Sequence, residues 1–261
     1  MIYNYEKSKV TVIIPYYSHG IYLAAAVQSA RAAYSGPLEI IIVDDGSPEP
    51  QANQHLKYLK QLEPEIIIIR QANLGLAGAR NAGLDAASGT FIQFLDSDDM
   101  LAPSKIDKQL QHFADVPDLD VSACDYLLWD IESGDFRGDG DPIGRFPFTL
   151  HSFLFYWERG LSIPIHSGLF RHASIEDIRF DESLRAKEDW VFWCVLVQNS
   201  TRIAYTPFTG ALYRLHGQNM TRAEGGLGQS YKAAVQKIAE TLDDPKPFLR
   251  ASEAWRRQAY D

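Results

Sequence analysis

The 261-residue sequence has few cysteines, no long apolar run and no excess of positive charge. Its two cysteines, Cys124 and Cys194, lie far apart, which argues against a disulfide scaffold and against a zinc site built from thiolates. No stretch reaches the roughly 18 apolar residues that a membrane-spanning helix needs. Residues 1–9 are polar and carry no apolar signal core. These absences predict a cytoplasmic protein without a transmembrane segment, and peripheral membrane association stays open.

The charge balance is acidic, with a formal net charge of −9. A surface of this sign repels the phosphate backbone of nucleic acids, so nucleic acid is excluded as a partner. An acidic chain suits an enzyme that recruits a divalent cation, although solubility alone would explain the charge. The hydrophobic content of 46% is ordinary for a globular protein, and the length allows one large α/β domain or two small ones.

The first 100 residues alternate between short apolar runs and helical segments. The apolar runs predict strands at residues 10–14, 38–43, 65–70 and 90–95, and the segments between them predict helices at 20–34, after residue 47 and at 75–87. Continuous apolar strands separated by helices indicate a parallel sheet with helices on both faces. Ligands of such sheets bind beyond the carboxyl ends of the strands.

Polar residues follow three of the predicted strands, as Pro15-Tyr16-Tyr17, Asp44-Asp45 and Asp96-Ser97-Asp98. The two carboxylates of Asp96-x-Asp98 could hold Mg²⁺ or Mn²⁺ on one turn, or could simply cap a helix. Asp45 could accept hydrogen bonds from a base or a ribose, or could belong to an ordinary turn. Tyr16 or Tyr17 could stack on a base, with a core position as the competing interpretation.

The second half of the chain is less regular. Residues 132–147 predict a loop or flap, residues 151–160 are aromatic and amphipathic, residues 186–198 indicate a helix, and another helix lies near 229–242.

Glu188-Asp189 opens the helix at 186–198, and Asp189 is either a general base or a helix cap. Arg80 could pair with a phosphate, and His216 could bind a metal or a phosphate. His166 is expected near the acceptor, and the other five histidines receive no role.

Taken in order, these motifs resemble those of family 2 glycosyltransferases with the GT-A fold. The matching segments are residues 10–17, 42–47, 73–83, 94–99, 187–190 and 213–216. The resemblance covers about residues 9–221 and implies a Rossmann-like, mainly parallel sheet flanked by helices, with a smaller acceptor-side subregion. It implies one domain over residues 1–221, divided near residue 100 into a nucleotide-sugar half and an acceptor half, and a C-terminal helical tail over 222–261 with no assigned role.

The resemblance also implies a role for each site residue. Asp189 would be the catalytic base of an inverting displacement, and Asp98, Asp96 and His216 would hold Mn²⁺ or Mg²⁺. The implied donor-binding residues are Pro15, Tyr17, Asp45, Asn73, Arg80, Asp96 and Ser97. The expected donor is a nucleotide-diphosphate sugar, with UDP favoured. The acceptor could be a saccharide, a lipid-linked sugar or a protein.

The prediction is therefore a metal-dependent hexosyl- or N-acetylhexosaminyltransferase that acts in cell-surface polysaccharide or glycoconjugate synthesis. The alternative from another class is a catalytically silent module that keeps the fold and binds a nucleotide sugar. The presence of every expected carboxylate disfavours that alternative. A nucleotidyltransferase would usually place a Gly- and Arg-rich loop after the first strand, where this chain has Pro15-Tyr16-Tyr17-Ser18.

Overall fold

A computed structural model describes residues 5–18, 20–48, 51–137, 142–217 and 227–260. The N-terminal half contains strands β1 (Val10–Tyr16), β2 (Leu38–Asp44), β3 (Ile67–Arg70) and β4 (Phe91–Phe94), with helices α1 (Gly20–Ala33), α2 (Ala52–Leu62) and α3 (Gly75–Ala86) between them. The four strands are parallel and lie in the order β3-β2-β1-β4. The predicted parallel sheet is confirmed.

The strand order changes direction at β1. The chain adds β2 and β3 on one side of β1 and then returns to place β4 on the other side. Loops that leave neighbouring strands in opposite directions open a crevice at their carboxyl ends, and such a crevice is the usual ligand site of open α/β sheets. Here the crevice lies between the segment after Tyr16 and the segment after Phe94.

The second half extends the same sheet with antiparallel and parallel strands. Its elements are β5 (Met100–Leu101), α4 (Lys105–Asp115), β6 (Val121–Asp130), β7 (Phe136–Arg137), α5 (Leu150–Phe155), β8 (Gly168–Arg171), α6 (Glu188–Gln198), β9 (Ile203–Leu215), α7 (Leu227–Ala239) and α8 (Lys246–Ala259). The sheet continues β4-β8-β6-β9-β5, and β7 pairs with β6. Strand β8 is antiparallel to β4 and β6, whereas β6 and β9 are parallel.

Two hydrophobic cores lie on opposite faces of the sheet. In β1, Val12 and Ile14 face the core formed with α1, α2 and α4, while Ile13 faces the core formed with α3 and α6. All seven residues of β1 are buried, which explains why its sequence is continuously apolar and does not alternate. Gly83 on α3 allows the helix to approach this strand, because a Cβ atom there would lie 2.3 Å from Ile13 Cγ2.

Most predicted elements occur within one to three residues of their predicted bounds. The third strand begins at Ile67 and not at residue 65. The tail contains two helices, α7 and α8, where one was predicted. His19, residues 138–141 of the predicted flap, and the region around the predicted boundary at 221/222, with Gly225-Gly226, lie outside the described residues. In the described part of the chain, no helix combines the length and the apolar character needed to cross a membrane.

Candidate active site

A cavity of about 1220 Å³ opens at the carboxyl ends of β1, β2 and β4. The starts of α3 and α6 and residues of β6 and β9 complete its walls. The predicted donor and catalytic residues that line it are Pro15, Tyr17, Asp45, Asn73, Arg80, Asp96, Ser97, Asp98 and Asp189. Asp45 and Asp98 therefore face the same cavity, while the role of each residue stays a prediction.

Asp45 organises the loop that precedes α3. Its Oδ1 accepts hydrogen bonds of 2.8 Å from Gln71 Nε2 and the Leu74 amide, and its Oδ2 accepts one of 2.8 Å from the Gly75 amide. Gly75 has φ +81°, a conformation that favours glycine. These bonds fix Asp45 and the Asn73 segment at one end of the cavity. Contact between Asp45 and a base stays a prediction.

The two tyrosines after Pro15 have different surroundings. Tyr16 is 1% exposed and belongs to the core, whereas Tyr17 is 45% exposed and lines the cavity. Of the two candidates for stacking on a base, Tyr17 is therefore the accessible one.

Arg80 joins two carboxylates that arrive from distant parts of the chain. Its Nη1 donates to Glu188 Oε1 at 2.5 Å, and its Nη2 donates to Asp96 Oδ1 at 2.7 Å. Burial alone would lower the pKa of Arg80, but Asp96 and Glu188 outweigh it and hold that pKa above its ordinary value. Because its terminal nitrogens face these carboxylates, Arg80 can act on the nucleotide by positioning Asp96. Its role in orienting the nucleotide stays a prediction.

Asp189 lies at the start of α6 and is partly exposed toward the cavity. Its Oδ1 accepts a hydrogen bond of 2.8 Å from the Trp190 amide. Burial, with Glu188 as the second cause, raises the pKa of Asp189 to about 7, although Arg80, Lys187 and the Trp190 amide act in the opposite direction. Glu188 itself is 4% exposed, and its carboxylate is engaged with Arg80.

Asp98 and His216 meet beside the acidic turn. Asp98 Oδ2 lies 3.0 Å from His216 Nε2, and His216 is buried. An oxygen and an imidazole nitrogen suit Mg²⁺, Mn²⁺ and related cations. Two adjacent ligands of an octahedral ion with bonds of about 2.1 Å lie about 3 Å apart, so this pair fits a divalent cation. His216 does not line the cavity and reaches the site through Asp98.

A second group of ligand atoms lies beneath the same turn. Asp96, Asp99 and His166 bring one ligand atom each within 4.8 Å of one another. His166 Nδ1 is 3.3 Å from Asp99 Oδ2, and the Arg214 amide donates to Asp99 Oδ1 at 2.7 Å. Burial, then Asp98 and Asp96, raises the pKa of Asp99 well above its ordinary value, and burial lowers that of His166 to about 4.

From the sequence, Asp99 received no role and His166 was expected near the acceptor. The signal for Asp99 was present, because it continues the run Asp96-Ser97-Asp98-Asp99. Asp99 is buried whereas Asp98 is partly exposed, and the apolar strand pattern of the sequence does not reveal this difference. His166 has no local signal, since its partner Asp99 lies far away along the chain and the two segments meet through the packing of the sheet, including the pairing of β4 with β8.

Comparisons with known proteins identify the family of this chain. The family model "Glycosyl transferase family 2" matches residues 11–176. An uncharacterized glycosyltransferase of Nostoc sp., alr2836, is 39% identical over 90% of this chain and 75% of its own length. The succinoglycan biosynthesis protein ExoW of Rhizobium meliloti is 28% identical over 78% of this chain and 68% of its own length. The chain belongs to glycosyltransferase family 2, and the resemblance seen in its motifs is confirmed.

Solved structures support the fold. The crystal structure of S. aureus TarS 1–349 in complex with UDP-GlcNAc superposes with a TM-score of 0.69 at 20% identity. The superposition covers 97% of this chain and 73% of that one. The predicted GT-A fold is therefore confirmed.

Proposed function

We propose that the protein is a metal-dependent, inverting glycosyltransferase that transfers a sugar from a UDP-sugar to an acceptor hydroxyl. The observation that carries this proposal is the placement of Asp189, whose pKa is raised to about 7, in one cavity with Asp45, Asp96 and Asp98. A general base works best when its pKa lies near the working pH. Asp189 would serve as this base, and the carboxylates of Asp96 and Asp98 would hold the cation that a diphosphate donor needs.

The nucleotide would lie at the end of the cavity formed by Tyr17, Asp45 and the loop that Asp45 orders. Tyr17 would stack on the base, with a contribution on the order of 1–3 kcal/mol. Support for UDP as the nucleotide comes from TarS, which was crystallised with UDP and with UDP-GlcNAc. A hexosyl or N-acetylhexosaminyl donor is accordingly the proposed substrate class.

The diphosphate would lie at the acidic turn. Asp98, Asp96 and His216 would hold Mn²⁺ or Mg²⁺, which when bound neutralises charge on the departing diphosphate. Arg80 would keep Asp96 in place through their ion pair of 2.7 Å. A carboxylate that is already oriented loses less conformational freedom when its ligand arrives, so the buried Arg80 helps to preorganise the site.

In the proposed reaction, Asp189 accepts the proton of the acceptor hydroxyl. The acceptor oxygen forms a bond to the anomeric carbon while the bond from that carbon to the diphosphate oxygen breaks, and UDP leaves with the electron pair. Attack from the face opposite the leaving group inverts the anomeric configuration. Proton acceptance by a positioned side chain contributes typically about 10²–10⁴-fold to the rate.

For the biological setting, we propose synthesis of a cell-surface polysaccharide or glycoconjugate. The succinoglycan biosynthesis protein ExoW, similar over 78% of this chain, supports this setting. The acceptor classes are a saccharide, a lipid-linked sugar and a protein, and the location in the cytoplasm stays a prediction.

A two-step experiment tests the proposal. Nucleotide sugars are first screened by thermal shift with Mn²⁺, because a ligand of the native state raises apparent stability. The best donor is then incubated with octyl glycosides and a polyprenyl-diphosphate sugar, and the anomeric configuration of the product is read by NMR. We expect a UDP-sugar to stabilise the protein and the product to be inverted. A retained configuration would contradict the mechanism, and donor binding without transfer or donor hydrolysis would favour the silent module.

A further inference from the structure

The two C-terminal helices, which follow the family match at 11–176, reach the candidate active site. Leu227, the first residue of α7, lines the cavity. Tyr231 of α7 stacks on Trp190 of α6 with ring centroids 5.3 Å apart, and Phe248 of α8 meets the same Trp190 edge-on at 6.1 Å. Trp190 directly follows Asp189. The C-terminal helices therefore pack against the turn of α6 that carries the proposed base.

A chain of polar contacts runs from the end of α8 to the residue next to Glu188-Asp189. The Tyr260 hydroxyl donates to Glu158 Oε2 at 2.5 Å, and Lys187 Nζ forms an ion pair with Glu158 Oε1. Glu158 and Lys187 both line the cavity, and their side chains are 20% and 14% exposed. A pair that is largely withdrawn from water is held more firmly than a surface pair. The Arg159 side chain also donates to the Ala251 carbonyl at 2.8 Å, which ties the same loop to α8.

Both members of this ion pair have unusual backbone conformations. Glu158 has φ +58° and Lys187 has φ +68°, and the only other non-glycine residues with positive φ in the described part of the chain are Ser104 and Ser200. Left-handed backbone at a residue with a long side chain costs free energy and persists where the surrounding structure imposes it. Such conformations cluster at functional sites. Here they direct Lys187 and Glu158 toward each other across the cavity wall.

We propose that Lys187 is a positioning residue for Asp189. Tyr260 holds Lys187 in position through Glu158, so helix α8 contributes to the geometry of the active site. The proposal rests on the proposed function for the role of Asp189 as the base. In this arrangement the left-handed Lys187 fixes the direction in which α6 begins. Its ammonium group also supplies a positive charge close to the Asp189 carboxylate.

Several charged groups face Asp189. Glu188 and Lys187 come from its own segment and Arg80 comes from α3, while Asp96 and Glu158 lie one contact further out. Glu188 raises the pKa of Asp189, and Arg80 and Lys187 lower it. Because Arg80 is already engaged with Glu188 and Asp96, Lys187 is the positive charge that a substitution can remove without breaking those buried pairs.

The test follows the titration of Asp189 directly. Aspartate carboxyl groups are labelled with ¹³C, and the Asp189 signal is identified by its loss in Asp189→Asn. We expect Lys187→Met to raise the titration midpoint of Asp189 by on the order of one pH unit, and Lys187→Arg to restore it. The acid limb of kcat/KM should move to higher pH in Lys187→Met and return to its wild-type position in Lys187→Arg.

Tyr260→Phe tests the C-terminal part with a minimal change, because it removes one hydroxyl and keeps the ring. We expect kcat to fall several-fold while the Kd for UDP in the presence of Mn²⁺ and the Tm stay near wild type. Tyr156→Phe is the matched control, since its ring packs against Phe146 outside the Tyr260–Glu158–Lys187 chain, and it should leave kcat unchanged.

Different results would contradict the proposed function and the positioning role of Lys187. If Lys187→Met shifts the Asp189 titration but the wild-type protein transfers no sugar, the proposed function is wrong and the positioning contact stands. If the wild-type protein transfers sugar, and neither Lys187→Met nor Tyr260→Phe changes the Asp189 titration or kcat, the inference is overturned. A lowered Tm with an unchanged kcat of the folded fraction would assign Tyr260 a purely structural role and would overturn it as well.

Discussion

At the residue scale, the two neighbouring carboxylates that begin α6 have different surroundings and therefore different chemistry. Glu188 is buried and paired with Arg80, so its charge is compensated within the protein. Asp189 is partly exposed toward the cavity, and burial together with the adjacent Glu188 raises its pKa to about 7. Environments that separate two neighbouring acids in this way define which of them can exchange a proton with a substrate.

This difference predicts the pH dependence of the reaction. The base must be ionised to accept a proton, and the pKa of Asp189 is about 7. We therefore expect log(kcat/KM) to rise with a slope of one below about pH 7 and to level off above it. A rate profile of the wild-type enzyme from pH 5 to 9 measures this limb. A flat profile down to pH 5 would show that Asp189 is not the base or that its pKa is not raised.

The same pKa predicts the sign of an effect on stability. Because the pKa of Asp189 is raised from 3.8 to about 7, the folded protein binds more protons than the unfolded chain between those values. The free energy of unfolding must then fall as the pH rises through this window. Asn does not titrate, so Asp189→Asn removes this decrease in the free energy of unfolding. Because the Asn side chain keeps an oxygen for the Trp190 amide, the variant should be at least as stable as wild type at pH 8.

Urea unfolding at pH 5 and pH 8 measures the effect, with Asp118→Asn as a control at a carboxylate whose side chain is 81% exposed. The control should change stability little at either pH. A variant Asp189→Asn that is clearly less stable than wild type at pH 8 would instead show that Asp189 serves as a helix cap.

The metal ligands are a second prediction at this scale, because two sets of side chains compete for the role. Asp98 and His216 lie at 3.0 Å, while Asp99 and His166 form a buried pair whose pKa shifts favour the uncharged forms of both. We expect His216→Phe and Asp98→Asn to weaken Mn²⁺ binding at least about tenfold, since even outer-shell changes cost 10–100-fold. We expect His166→Phe to weaken Mn²⁺ binding less than either of them.

Titration of free Mn²⁺ by electron paramagnetic resonance, in the presence of UDP, measures this without any turnover. The reverse order, with His166→Phe losing Mn²⁺ and His216→Phe keeping it, would move the ion to the set formed by Asp96, Asp99 and His166.

At the element scale, Arg80 of helix α3 forms ion pairs with Asp96, which follows β4, and with Glu188 at the start of α6. Arg80→Met leaves Glu188 buried without its partner, and breaking a buried pair costs about 3–5 kcal/mol of unfolding free energy. Arg202→Met breaks the exposed pair with Asp118 and should cost about 0–1 kcal/mol. Adding Glu188→Gln to Arg80→Met should recover part of the loss. Urea unfolding of wild type and these three variants tests this, and equal effects at Arg80 and Arg202 would contradict the account.

Elements with a strong periodic signal were predictable from the sequence. Strands β1, β2 and β4 are mostly apolar because helices cover both faces of the sheet there, whereas β3 lies at the edge of the sheet and is partly exposed. The two-residue strands β5 and β7 were not predictable, because they exist through pairing with β9 and β6 rather than through a pattern of their own. Strand β8 likewise depends on the strands beside it.

At the scale of the whole molecule, the site is assembled from segments that are distant in sequence. The motifs at Asp45, Asp96 and Asp189 could be recognised from local spacing, and the cavity brings them together. The contacts of Glu158 with Lys187 and Tyr260 could not be recognised from the sequence, since they depend on the packing of α8 against the loop after α5. Residue identities thus predicted which of these side chains line the cavity, whereas their contact partners emerged only from the tertiary structure.

The central claim is that Asp189 is the catalytic base of an inverting transfer, and one comparison tests it most directly. Turnover, Kd for UDP with Mn²⁺, and Tm are measured on the same samples of wild type and Asp189→Asn. The account predicts that kcat falls by about 10²–10⁴-fold while the Kd and the Tm stay near wild type. An Asp189→Asn protein that keeps wild-type kcat would contradict the claim and place the base elsewhere in the cavity.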